Sequence, residues 1–330
     1  MVALAACSNG MPTATTASPR SPSSSSGVGL AATGASVAIP ITTSSTGSGN
    51  VVSVEVTVGG GDPIPVLLDT GSSGLLVDSS LVGPGVTAAS GTLSQDYAGG
   101  AVSGSLATAV VGMGSVNTPP IIVGLVDPSS ATTAFTGGMH GILGIATSGT
   151  STAGLMSPSL QLAAPLNTGS TLQIDAAAGS PGTWTLGPVT APASATSVPL
   201  VSQTPPSSAP AGYPAFAQHV EMCWTIGGQA PSCAGTVLDT GNGTPALDAT
   251  TYASFGPVHT ILPSGLPIAI GLPGAAPLWS FTTGQIVGTD AVKLSELGSG
   301  DPFNTGLPFF YGRTVAWDYA AGQLLIGPSA

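Results

Sequence analysis

The chain has 330 residues, with 3 Lys and Arg against 14 Asp and Glu and a formal net charge of −11. Almost nothing is available to neutralise phosphates, which excludes nucleic acid as a partner and disfavours anionic membrane surfaces. The 48 glycines and 30 prolines approach low-complexity levels, yet 42% of residues are hydrophobic, enough to bury a large core. Apolar residues cut up by Gly, Pro, Ser and Thr predict an all-β protein of many short strands, in one large domain or two lobes. No apolar run free of Gly and Pro is long enough to span a bilayer.

At the N-terminus, Leu4-Ala5-Ala6-Cys7 resembles the end of a bacterial lipoprotein signal peptide, in which the cysteine becomes the lipid attachment point, although no basic residue precedes it. The Ser-, Thr- and Gly-rich stretch that follows, including Ser21-Pro22-Ser23-Ser24-Ser25-Ser26, reads as a tether, giving a first segment of residues 1–49. Ordered structure is expected from about Asn50. There Val52, Val54, Val56 and Val58 alternate with Ser53, Glu55 and Thr57, the period of a half-buried strand. Gly59-Gly60-Gly61-Asp62-Pro63 reads as a turn, and Ile64-Pro65-Val66-Leu67-Leu68 as the returning strand, which runs into Asp69-Thr70-Gly71-Ser72. Residues 155–163 are the best candidate for a short helix. Further on, Gly235-Thr236-Val237-Leu238 leads into Asp239-Thr240-Gly241-Asn242-Gly243-Thr244, about half a chain from the first triplet. Duplication of one unit is the natural inference, with lobes over residues 50–180 and 181–330.

Cys223 and Cys233 flank a hairpin-like turn. A bridge between them would close a short loop in an oxidising compartment; the alternative, two buried thiols in a reducing cytosol, fits the tether less well. His140, His219 and His259 are scattered and form no metal-ligand motif, so neither a metal nor a cofactor is expected. Arg313 and Lys293 are read as solvated or locally paired.

An Asp after a buried strand, followed by Thr-Gly, suits a carboxylate on a tight turn whose glycine amide can bond it. Two such turns related by a pseudo-twofold axis would bring Asp69 and Asp239 face to face. Carboxylates that close cannot both ionise readily, so they share a proton and can hold a water between a base and an acid.

At these residues the chain resembles the pepsin-like aspartic proteases. Tyr97-Ala98-Gly99-Gly100-Ala101-Val102-Ser103-Gly104-Ser105-Leu106 is similar to the flap hairpin whose tyrosine covers the substrate. Gly141-Ile142-Leu143-Gly144-Ile145 resembles the segment behind the first catalytic loop, and Val315-Ala316-Trp317-Asp318 with Leu325-Ile326-Gly327-Pro328 the closing strands. The Cys223/Cys233 hairpin sits where the family often has a second-lobe disulfide. Leu67 to Leu75 and Gly306 to Val315 are similar to segments of the mycobacterial PE-family aspartic protease domain. Three departures stand out. Leu76 replaces a tryptophan that would bond the flap tyrosine. Asn242 replaces a Ser or Thr after the second triplet, where its amide could still bond Asp239. The second lobe's supporting segment is reduced to Asn304-Thr305-Gly306.

The resemblance implies a bilobal all-β fold with a cleft between lobes and an aspartic endopeptidase acting on protein or peptide substrates. Its catalytic pair would be Asp69 and Asp239, supported by Thr70, Gly71, Ser72, Thr240, Gly241 and Asn242, with Tyr97, Gly99, Gly243 and Thr244 against the substrate. An acidic optimum, a monomer, and export to the cell envelope or medium are expected, with Cys7 as the lipid site if the protein is anchored. The alternative is a catalytically silent pepsin-fold protein that binds peptides at the surface.

Overall fold

The computed structural model describes residues 36–46, 49–97, 100–135, 137–148, 154–177, 179–297 and 300–329. Cys7 and the rest of residues 1–35 lie outside the described residues, as do Gly99 and the side chain of Tyr97.

The first element, β1 (Val37–Thr46), falls inside the segment expected to be a tether, so that expectation fails from Val37 onward. A Ser/Thr-rich composition hides a period of two there: Ile39, Ile41 and Thr43 are buried, while Ala38, Pro40 and Thr42 are exposed. Strand β2 (Gly49–Val58) pairs antiparallel with β1 and buries Val52, Val54, Val56 and Val58, as its alternation predicts. Gly59 and Gly60, at φ 61° and 73°, make the tight turn that only glycine enters without strain, and β3 (Ile64–Asp69) returns against β2. Then follow β4 (Ser73–Asp78) and a long hairpin of β5 (Thr87–Tyr97) and β6 (Gly100–Ala109).

Among the described residues, fifteen strands form one sheet and seven another. The expected division after residue 180 does not separate them. Pro181–Leu186, Thr196–Pro199, Thr314–Asp318 and Gln323–Ile326 all belong to the larger sheet with β1 to β6. Strand β1 is the link, because it lies between β2 and Pro181–Leu186 with Ile39 opposite Trp184. The smaller sheet is built from strands between His219–Ile226 and Phe303–Asn304. Within it, the Cys223–Cys233 disulfide joins two facing hairpin residues whose Cα atoms are 3.9 Å apart.

The helix expected over residues 155–163 is absent: Pro158 interrupts the segment, and only a 3-10 turn forms at Ser159–Gln161. The one α-helix among the described residues is Pro128–Ala134, which buries Ala131. A large core joins both sheets and includes Trp184, Trp224, Phe303, Phe309 and Phe310. A smaller cluster of Leu76, Leu93, Val102, Val126, Ala131 and Leu155 anchors the β5–β6 hairpin. Leu76 thus fills its tryptophan-like position as packing under the hairpin.

Candidate active site

Each Asp-Thr-Gly triplet leaves a strand and enters a loop braced by a third strand. Gly141–Ile145 lies between β3 and β4, parallel to the first and antiparallel to the second, with Gly144 beside Asp69 in register. In the smaller sheet Phe303–Asn304 lies in the same senses between Ser232–Val237 and Ala246–Asp248. The bracing residues are inaccessible to solvent: Leu68, Leu75 and Leu143 behind one loop, Leu247, Phe303 and Thr305 behind the other. Close packing of this kind fixes where each carboxylate emerges.

The loops are tied to each other by four reciprocal hydrogen bonds. Thr70 Oγ1 donates to Leu238 O (2.7 Å) and accepts the Thr240 amide (2.9 Å); Thr240 Oγ1 donates to Leu68 O (2.6 Å) and accepts the Thr70 amide (3.0 Å). Both threonines are buried. They are structural ties between the loops, with no hydroxyl left for chemistry.

The carboxylates are held in matching but unequal cradles. The Gly71 amide donates to Asp69 Oδ1 (2.7 Å) and the Gly241 amide to Asp239 Oδ1 (2.8 Å). Asp69 Oδ2 accepts from the Ser72 hydroxyl, whereas Asp239 Oδ2 accepts from Asn304 Nδ2 at 2.7 Å. The expected donor Asn242 does not fill this role; its carbonyl accepts the Leu307 amide instead. The orientation of the Asn304 amide is fixed because its Oδ1 accepts the Gly306 amide at 2.8 Å, leaving Nδ2 toward Asp239. In the sequence this segment reads only as a weakened supporting strand. The 65-residue separation from Asp239 carries no local signal.

Asp69 is 6% exposed, while Asp239 is half-buried. Burial, and then the charge and hydrogen bond of Asp239, hold the Asp69 carboxyl far above the ordinary carboxylate range, only partly offset by Ser72. The pair therefore keeps a proton to higher pH than an isolated carboxylate would.

The two glycines are close-approach positions. A Cβ on Gly71 would come within 3.0 Å of the Asp239 carboxylate, and one on Gly241 within 3.0 Å of the Asp69 carboxylate. Gly71→Ala is expected to fold, because its clash is with the half-buried Asp239 carboxylate, but to lose at least about a hundredfold in peptide-cleaving kcat/KM by separating the pair. Unchanged kinetics would remove the face-to-face placement.

Gln218 is a contributor with no sequence signal: its Nε2 donates to Gly71 O, and its Oε1 accepts from Ser148 Oγ. The β5–β6 hairpin places Tyr97 at its end, opposite Gly100. Gly243 is half-buried at the second loop. Thr244, expected against substrate, is buried and its hydroxyl accepts the Gly288 amide (3.2 Å), so it braces the loop instead.

No family model matches the chain, and no curated protein matches its sequence. Among solved structures it is similar to the crystal structure of aspartic proteinase from Irpex lacteus. The identity is 20%, with 90% of this chain and 98% of that chain covered, at a TM-score of 0.62. The likeness is one of fold: nearly all β, two sheets, the pepsin-like aspartic proteinase architecture.

Proposed function

We propose that the chain is an aspartic endopeptidase whose reaction is run by Asp69 and Asp239. The supporting observation is the pair itself: two carboxyls at the ends of matched loops, each lying against the glycine of the opposite triplet and each with its own donors.

The donors assign the roles. Both oxygens of Asp239 accept from groups that can only donate, an amide N–H and the Asn304 NH₂, which favours its ionised form. Asp69 Oδ2 faces a hydroxyl, which can turn and accept, so a proton is tolerated there. Asp239 is then the base that takes a proton from water as the water oxygen bonds to the peptide carbonyl carbon. Asp69 gives its proton to the carbonyl oxygen, forming a neutral tetrahedral diol. Collapse breaks the C–N bond: Asp239 returns its proton to the leaving nitrogen, and a diol hydroxyl returns one to Asp69. Both groups lie on one chain, so a monomer is sufficient.

The raised Asp69 carboxyl sets the sign of the pH dependence. Activity requires it protonated, so the rate falls as pH rises through its raised value, above the usual range for carboxylates. Cleavage of a diverse peptide library, read by mass spectrometry from about pH 3 to pH 9, is expected to persist to near neutrality and decline beyond it. A rate that climbs steadily to pH 9 would contradict the assignment. Peptide binding without any cleavage would identify a silent binding protein of the same fold.

Export is the compartment that the disulfide supports. The similarity to the mycobacterial PE-family domain rests on residues 67–75 and 306–315, and a lipid on Cys7 rests on the four-residue pattern that ends there.

A further inference from the structure

A cavity of about 520 Å³ opens against the second catalytic loop. Its walls are tied to that loop at three points. The carbonyl of Asn50 lies under Gly243, where a Cβ would come within 3.0 Å of it. Thr289 follows Gly288, whose amide bonds Thr244, and Pro308 follows Leu307, whose amide bonds Asn242 O.

Arg313 lines this cavity. Expected to be solvated or locally paired, it is instead 6% exposed and in no ion pair among the described residues. Its Nη1 donates to Phe309 O (2.7 Å) and its Nη2 to Leu278 O (3.3 Å), while Nε has no hydrogen-bond partner among the described residues. Two of five N–H groups are thereby used. The rings of Trp279 and Phe309 lie 5.8 and 5.1 Å from the guanidinium carbon, holding the fork in place. A buried guanidinium without a counter-charge is unfavourable unless something completes it.

The surroundings match an anion. The Tyr311 hydroxyl accepts from Asn50 Nδ2 at 3.1 Å, which leaves its own proton free to be donated; burial raises the phenol, so it stays neutral. Leu278, Trp279, Phe281 and Pro308 supply apolar wall for a carbon stem. In a chain of net charge −11 a singly charged carboxylate is repelled less than a phosphate dianion.

We propose that this cavity is a carboxylate-binding subsite, in which Arg313 and Tyr311 receive a glutamate or aspartate side chain of the peptide held in the cleft. The assignment rests on the peptide-binding reading above and makes acidic peptides the preferred substrate class.

The test is equilibrium binding of fluorescent peptides to the Asp69→Asn protein, which should hold substrates uncut. The peptides share one sequence with a single glutamate moved stepwise along it, each matched by a glutamine control. One register is expected to bind about tenfold tighter than its control, the effect of a charge-assisted hydrogen-bonded pair. Arg313→Met should erase that preference and leave glutamine peptides unchanged; Arg313→Lys should keep only part of it, lacking the planar fork. Tyr311→Phe removes one oxygen and should weaken the preference about threefold, which keeps the test open if the Arg313 variants do not fold.

Equal binding of glutamate and glutamine peptides at every register overturns the subsite and leaves peptide binding standing. If no peptide binds, the endopeptidase reading falls, and the subsite with it.

Discussion

Asp239→Asn is expected to yield a folded protein whose peptide cleavage is at least about a thousandfold slower, because it removes the base that takes the water proton. Asp69→Asn should be equally inactive, but the two variants should separate in stability. At position 69 an amide imitates the protonated acid: its oxygen can accept from Gly71, and its NH₂ can donate to Ser72 Oγ or to Asp239. At position 239 the same amide would set its NH₂ against a donor on one side, either Gly241 N or Asn304 Nδ2. The pH dependence follows from the raised Asp69 carboxyl. The folded state binds that proton more tightly than the unfolded chain, so its contribution is fully present below the ordinary value of 3.8 and is lost as pH rises toward the folded one. Thermal melting should therefore show Asp69→Asn more stable than wild type near neutral pH, with the two curves converging at acid pH. Asp239→Asn should show no such gain. Identical melting profiles for both variants would remove the assignment of the proton to Asp69.

The second large effect belongs to Asn304. Asn304→Ala deletes the side-chain donor to Asp239 Oδ2, so peptide-cleaving kcat/KM should fall at least about tenfold. Asn304→Asp should cut it about a hundredfold, since a third carboxylate would face the pair. A serine at the same position has a shorter reach and should rescue little. Thermal melting separates positioning from mere packing: a structural defect would lower the melting temperature along with the rate, whereas loss of the donor alone should lower the rate. Unchanged kcat/KM in both variants would return Asn304 to a simple strand residue.

Much of this site is legible in the amino-acid sequence alone. The alternation of Val52 to Val58, the glycine turn and the run into Asp69 are local signals, and the second triplet repeats their logic. What the sequence hides is set by partners far away in the chain. Strand β1 is rich in serine and threonine and adjacent to a low-complexity stretch, so its period of two becomes visible only against β2 and Pro181–Leu186. The larger sheet takes strands from both sides of residue 180 for the same reason, since strand pairing ignores chain order. Asn304 acts through a parallel register with Ser232–Val237 that no window of sequence displays. Arg313 reads as solvated because arginine usually is; its burial comes from Trp279 and Phe309, side chains 34 and 4 residues away whose rings close over it only in the fold.

The threonine ties have a mechanical consequence. Four short bonds, each worth about 1 kcal/mol, clamp the backbones directly beneath both aspartates. The gap between the carboxylates is thereby the least extensible dimension of the cleft, and any widening to admit a chain must swing about that clamp. Opening is largest at the rim and vanishes at the fulcrum. On the proposed mechanism, a long peptide can pry the walls apart while the two carboxylates stay at a constant spacing.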